Sequence, residues 1–410
     1  MIATRHDPSV SSHDAGGGDG APPSAVRPVN LPDPAIDVGP LFTPFALGKL
    51  ELSNRFVLPG MQRGLCHDGA PSQKMTEYYR RRVAGGCGLI ISESVAVDHP
   101  TSTQNPRFAW MAERTYEAWG RCVAAVKEEG GGVILQMWHE GARREEGGTG
   151  RHGQFPTISP SGLIDARQSQ GRAATLDEIE ELKAAFVSSA LMARNAGAHG
   201  VEIHAAHGYL LDQFLWPTTN RRNDCYGGPD VRDRARLPAE IVAAVRAACG
   251  PAFIVGLRFS QWKETDFSAR VVETADELQS MLGLFKEAGA SFIHASTRKF
   301  WTPEWPGSHL GLAGWCKRLT DLPVIAVGSV GIAPDDSEPA KQIAQGLAEL
   351  ARRFEGAEFD LVSVGRSQIA DPDWVAKVRA GDFDRIRPFQ AGDTRRDDDE
   401  LAELARSYPR

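Results

Sequence analysis

Between residues 41 and 390 the chain alternates short apolar runs with longer stretches whose apolar positions recur every three or four residues. The short runs are Phe56 to Leu58, Gly88 to Ser92, Gly132 to Met137, Val201 to His204, Phe253 to Arg258, Phe292 to Ala295, Val324 to Val327 and Leu361 to Val364, and they read as buried strands. The longer stretches predict helices over 72–84, 114–129, 176–196, 232–249, 272–288, 310–319, 338–354 and 372–380. The third opens on Thr175 with Glu178 three residues on, a capping-box pattern, and stops at Gly197. Strands alternating with helices at this interval imply a parallel sheet, and eight such units imply closure. The expected fold is therefore a single-domain α/β protein, a (β/α)8 TIM barrel over 41–390. A doubly wound open sheet is the alternative, but no GxGxxG opens a first strand-to-helix turn.

The flanks lack this pattern. Residues 1–40 are rich in Gly, Pro, Ser, Asp and Ala, too poor in apolar surface to offset the entropy of ordering, and are expected to be a disordered low-complexity tail. Residues 391–410 read as a polar C-terminal tail that forms a solvated helix or frays.

Composition narrows the functional classes. A net charge of -7 argues against a nucleic-acid binder and against a polybasic membrane anchor. No apolar run approaches the roughly 20 residues of a membrane span, and the first residues lack a signal-peptide core, so a cytoplasmic protein is expected. The six cysteines are scattered, without a CxxC pair, which removes a zinc ribbon and makes a cysteine-held iron–sulfur cluster or another resident metal unexpected.

The densest chemistry lies in GVEIHAAHGYLLDQFLWPTTNRRNDCYGG, residues 200 to 228. Strand geometry sends positions three apart to opposite faces, so His204 and His207 converge only if the chain leaves the strand near His204 and turns before Gly208. Two imidazoles can donate to an oxygen that gains negative charge, and the Tyr209 phenol can supply a proton, a trio suited to a carbonyl or enone. The alternative is a pair of buried, bonded histidines beside a capping tyrosine.

In a barrel the active site gathers at the C-terminal strand ends. Those ends carry Met61 and Gln62, Glu93 and Ser94, Gln136 with Trp138 and His139, His204, Arg258, Ser296, Gly328 with Ser329, and Gly365 with Arg366. The seventh and eighth loops, VGSVG and VGRSQIADP, fall where such barrels hold phosphate. Gln136 offers an amide for a heterocycle's imide edge, and Arg258 a cation for a reduced flavin's anionic ring, although a buried ion pair with a barrel glutamate would also explain the arginine. Together these point to FMN.

Motifs in order along the chain carry a family resemblance. NRFVLPGMQR (54 to 63), EYYRRRVAGGCGLIISES (77 to 94), ILQMWHEGAR (134 to 143), SPSG (159 to 162), the block around His204, GLRFS (256 to 260), VGSVG (327 to 331) and VGRSQIADPDW (364 to 374) resemble the old yellow enzyme family of FMN-dependent ene-reductases. The resemblance implies that His204 and His207 hold the carbonyl oxygen of an α,β-unsaturated substrate and that Tyr209 protonates its α-carbon while flavin N5 delivers hydride to the β-carbon. It implies cofactor contacts from Gly60, Met61, Gln62, Ser94, Gln136, Arg258, Gly328, Ser329, Gly365 and Arg366. NADH or NADPH would reduce the FMN in a ping-pong cycle, and homo-oligomers are expected. Gln62 departs from the threonine or cysteine usual in the family, and Gly60 stands where proline is usual, which would loosen that turn. Trp301, in STRKFWTPEWPGSHLGLAGW after the sixth strand, is a candidate substrate wall or else part of a packed structural loop.

Three other readings remain. An amine- or dienoyl-CoA-type flavin enzyme would bring an iron–sulfur motif and further domains. A metal hydrolase would need more His and Asp at other strand ends. A non-catalytic flavin-binding protein would be yellow without being bleached by NAD(P)H.

Overall fold

In the computed structural model, which describes residues 36–147, 152–335 and 337–408, eight strands pair in chain order. They are β1 (Phe56–Leu58), β2 (Leu89–Val97), β3 (Gly132–Trp138), β4 (Gly200–His207), β5 (Ile254–Lys263), β6 (Phe292–Ser296), β7 (Val324–Val327) and β8 (Leu361–Ser363). Each is parallel to its neighbours, and β8 pairs with β1, which pairs with β2, so the sheet closes into the (β/α)8 barrel read from the sequence. Between the strands lie α1 (Gln73–Ala84), α2 (Glu113–Glu128), α3 (Leu176–Asn195), α4 (Arg236–Cys249), α5 (Ala275–Glu287), α6 (Leu312–Thr320) and α7 (Pro339–Glu355), and α8 (Trp374–Ala380) follows β8. The capping box forms at α3: Thr175 Oγ1 accepts from the Glu178 N–H, and the Glu178 carboxylate accepts from the Thr175 N–H.

Inside the barrel, alternate residues of each strand build layers. At the bottom an antiparallel hairpin, Phe45–Leu47 with Leu50–Leu52, plugs the opening, its Leu47 and Leu52 buried with Val57, Leu89, Ile91, Ile134, Ile254, Phe292, Ile325 and Leu361. A Cβ on Gly132 would meet Leu50 and Leu89 at 2.9 Å, so the strand admits the plug only without a side chain there. Two residues further along the strands the lining turns polar. Gln136 Nε2 donates to Glu202 Oε1 at 2.7 Å, and His294 Nδ1 lies 2.7 Å from Glu202 Oε2, all three fully buried. The layer above contains His204, Arg258 and Ser296 and opens to the outside. The inward-facing parity of the strands thus grades from hydrocarbon to charge toward one end.

Of the expected flanking tails, residues 1–35 lie outside the described residues. Val38 and Leu41 are buried against the barrel. The C-terminal segment ends in α9 (Asp398–Arg406), whose Leu401, Ala402 and Ala405 are buried, and Arg82 Nη1 meets Asp398 Oδ1 at 2.6 Å. No described helix is long and apolar enough to cross a membrane.

Candidate functional site

A cavity of ≈ 500 Å³ opens at the C-terminal strand ends, within the size range of small-molecule sites. It brings together Gly60, Met61, Gln62, Ser94, His204, His207, Tyr209, Arg258, Gly328, Ser329, Gly365 and Arg366. Two expected residues are not on its wall. Gln136 lies behind Gly60, with Ser94 Oγ donating to its Oε1 at 2.7 Å and its Nε2 engaged by Glu202. Trp301 lines a separate cleft with Ile343, Gly346 and Glu349 of α7, where its carbonyl accepts from Arg353 Nη2, because the loop after β6 folds back on that helix. The tryptophan on the cavity wall is instead Trp262.

The histidine pair converges by a route other than the one the sequence suggests. The strand does not end at His204. It runs to His207, but the β4–β5 register slips, so that Ala205 faces Phe259 and His207 faces Lys263. This irregularity, with φ of 66° at His207 and 87° at Gly208, swings His207 to the side of His204, and their ring centroids stand 5.2 Å apart. A left-handed backbone at a histidine is strained, and the surroundings hold it. Ser260 Oγ accepts from the His207 N–H at 3.0 Å, Asp212 Oδ2 accepts from the Gly208 N–H at 2.6 Å, and Lys263 Nζ donates to Asp212 Oδ1 and to the Ser260 carbonyl. The Trp262 ring lies on the His207 ring at 4.6 Å.

Protonation follows from burial. Desolvation, with Arg258 next in size, holds the His204 ring at about 3 and the His207 ring well below its ordinary range, so both are neutral near neutral pH. His204 Nδ1 accepts from the Ala206 N–H, which puts its ring proton on Nε2. His207 Nε2 lies 2.8 Å from Ser296 Oγ, which itself accepts from Arg258 Nη2. Where the serine proton points to His207 Nε2, the imidazole proton stands on Nδ1. Tyr209 packs edge-on to His204 at 5.4 Å and to Trp138 at 5.1 Å. Burial and then the Glu264 charge push its ionisation up, so it stands as a neutral phenol.

The opposite side is built for an anion. Gly328 has φ of 152°, and a Cβ there would lie 2.5 Å from Thr297 Oγ1, so the seventh loop closes on the sixth only as glycine. Arg366 Nη2 donates to Ser329 Oγ at 3.0 Å. Burial and then the neighbouring Arg298 charge lower the Arg366 guanidinium's ionisation, so two cations share this end of the cavity, and Lys299 adds a third. Between the two ends several buried polar atoms have no partner among the described residues: Nε2 and Oε1 of Gln62, Nε of Arg258 and Oγ of Ser363. Such groups cost about 1–3 kcal/mol each unless something else bonds to them, so the lining is fitted to a polar, anionic occupant. Gly60 is not a loosened turn: a Cβ there would sit 2.7 Å from the Ser92 carbonyl and 2.8 Å from Gln136 Nε2, so glycine allows the Gln136 amide to tuck beneath the loop.

Glu93, at the rim of β2, faces away from the cavity, its Oε2 accepting from the Arg63 N–H at 2.9 Å. Burial raises its carboxyl from 4.5 to about 7. The folded chain therefore holds this proton more tightly than the unfolded chain, and the group's stabilising contribution is complete below 4.5 and disappears as pH climbs through about 7. Glu93→Gln is expected to flatten that part of the stability profile, read from urea unfolding at about pH 5 and about pH 8, and an unchanged difference between the two would refute it.

The sequence reading missed Trp262 and Glu264 because it ended β5 at Arg258, five residues early. It missed Glu202 and His294 although each stands two residues before a selected position, His204 and Ser296, on the same inward parity. That parity was the available signal.

A closed barrel with a cationic phosphate-type cradle at its last two loops, facing neutral imidazoles and a phenol, defines a flavin oxidoreductase barrel. The chain belongs to the NADH:flavin oxidoreductase / NADH oxidase family, the old yellow enzyme family, whose model matches residues 40–384. It is 34% identical to an NADH oxidase of Thermoanaerobacter brockii over 85% of this chain and 52% of that protein. It is 32% identical to putative 12-oxophytodienoate reductase 2 of Oryza sativa subsp. japonica over 83% of this chain and 87% of that protein. The structure of morphinone reductase in complex with tetrahydroNAD superposes with a TM-score of 0.72 at 27% identity, covering 86% of this chain and 93% of that one. The chain spans about half the length of the first of these curated relatives.

Proposed function

We propose that the protein is an FMN-dependent NAD(P)H oxidoreductase that reduces the activated C=C bond of α,β-unsaturated carbonyls and related electron-poor alkenes. The observation that carries this reading is the convergence of two neutral imidazoles and a neutral phenol on one cavity whose far end is cationic. Gly328, Ser329, Gly365 and Arg366 hold the FMN phosphate, and Met61, Gln62, Ser94 and Arg258 hold the ring, with Gln136 buttressing Gly60 from behind. When bound, FMN supplies the hydride, taken first from NADH or NADPH and passed to the substrate β-carbon. His204 and His207 donate to the substrate oxygen, which becomes enolate-like as the bond reduces. Because both donors are neutral and preplaced, they stabilise the growing charge without surrendering a proton. Tyr209 gives its hydroxyl proton to the α-carbon.

Gln62 Nε2, buried without a partner among the described residues, offers an amide N–H to the cavity, so Gln62→Leu is expected to lower the flavin midpoint potential, since reduction adds electron density to the ring oxygens. A redox titration checks this, and an unchanged potential would mean that Gln62 does not contact the ring.

The function itself is tested anaerobically. NADH or NADPH should bleach the flavin absorbance, and cyclohexenone, a maleimide or a nitroalkene should restore it with formation of the saturated product. Bleaching that only oxygen reverses would favour an NADH oxidase, the activity for which the Thermoanaerobacter relative is named.

A further inference from the structure

Tyr209 must recover a proton after every turnover, and its ring packs against Trp138, His204 and Arg143. One carboxylate reaches both it and solvent. Glu264, just past the end of β5, lines the same cavity as Tyr209 with its side chain 42% exposed, and its charge acts on the Tyr209 hydroxyl. Arg143 fixes the pair: its Nη2 meets Glu264 Oε2 at 2.7 Å, its guanidinium lies 4.7 Å from the Tyr209 ring centroid, and its Nη1 donates to the His207 carbonyl at 3.2 Å. The Glu264 N–H also donates to the His207 carbonyl, so the acid is tied to the same turn that positions the imidazoles. The other acid acting on Tyr209, Glu140, is half-buried and does so through its charge.

We infer that Glu264, oriented by Arg143, is a positioning residue that relays a proton from water to Tyr209 between turnovers. The assignment rests on the ene-reductase reading above. In the first step the Tyr209 O–H bond breaks and a C–H bond forms at the substrate α-carbon, leaving the electron pair on the phenolate oxygen. Arg143, over the ring, stabilises that charge. In the second step a solvent proton passes to the Glu264 carboxylate and from there to the phenolate. Both groups return to their starting states, and the cycle takes up one proton per substrate reduced, balancing the hydride from NAD(P)H. Arg143, in contact with both groups, keeps the carboxylate and the phenol on one path along which the proton returns.

The test uses flavin-loaded Glu264→Gln, with Glu264→Asp as the conservative variant, and separates the half-reactions by stopped flow. Reduction by NADPH, or NADH, should be unchanged. Steady-state kcat for cyclohexenone should fall about tenfold with KM little altered, less than the roughly 10²–10⁴-fold contribution of a group in direct proton transfer. The solvent deuterium isotope effect on that turnover should rise. Menadione, whose reduced oxygens take protons directly from water, should be reduced at the wild-type rate, and Glu264→Asp should restore most of the enone rate. A readout apart from turnover uses ring-labelled tyrosine NMR: with Arg143, Glu140 and His204 still around the phenol, loss of the Glu264 charge should move Tyr209 ionisation to lower pH. Equal loss with menadione and cyclohexenone, or an unaltered enone rate, would overturn the relay. Wild-type protein that reduces no enone at all would overturn the functional reading first and the relay with it.

Discussion

Replacing His204 and His207 together with alanine is expected to lower kcat/KM for cyclohexenone by at least roughly 10²–10³-fold, the loss seen when one preorganised oxyanion donor is removed. Phenolic ligands should lose affinity in parallel, because a phenolate oxygen presents the same charge to the same two N–H groups. FMN retention should be unaffected, since Arg258, Arg366 and the seventh and eighth loops lie on other strands. The magnitude follows from the electrostatics of the site. Both imidazoles are almost fully buried, where a donor interacts with a developing charge far more strongly than in water. Wild-type enone turnover by a double variant that still holds its flavin would remove the anion-site assignment.

The second large effect is on stability and reaches the site through the backbone. Asp212 and Lys263 are both fully buried and meet at 2.7 Å, joining the turn after β4 to the end of β5. Removing one charge strands the other, so Asp212→Ala is expected to cost about 3–5 kcal/mol in urea unfolding. It also frees the Gly208 N–H and loosens the turn that keeps His207 at φ of 66°, so enone turnover should fall even in the folded fraction. Asp212→Leu combined with Lys263→Met removes both charges and should recover much of the stability, while the His207 turn, lacking its carboxylate, should not regain full activity. Equal stability of Asp212→Ala and wild type would contradict the role given to this pair.

These two sites also mark how far the sequence could be read. The barrel was legible because its strands are apolar on both faces and its helices amphipathic, and β1 and β7 fall at the expected residues. The strands that carry chemistry were read too short. β2, β4 and β5 run on past Ser92, His204 and Arg258, but Glu93 and Ser94, His204 and His207, and Ser260, Gln261 and Lys263 break the apolar pattern, so a hydrophobic run stops short of the strand end. The histidine pair was found, but its geometry was assigned to a strand end rather than to a slipped register, since nothing in HAAHGY reveals the buried Lys263 that fixes the slip. The seventh and eighth loops fall at the cavity, as their place in the fold implies. Trp301 was selected as an aromatic residue in an unusual loop, and composition carries no information about which way a loop folds; it folds toward α7. Gln136 stands out for its hydrogen-bonding capacity, of which Ser94 and Glu202 engage one acceptor and one donor site.

The most direct test of the account is a crystal structure of the flavin-loaded protein soaked with p-hydroxybenzaldehyde. The expected result is FMN with its phosphate between Ser329 and Arg366, and the phenolate oxygen within hydrogen-bonding distance of both His204 and His207. A phenolate bound elsewhere, or a flavin phosphate away from the Gly328 and Gly365 loops, would contradict it.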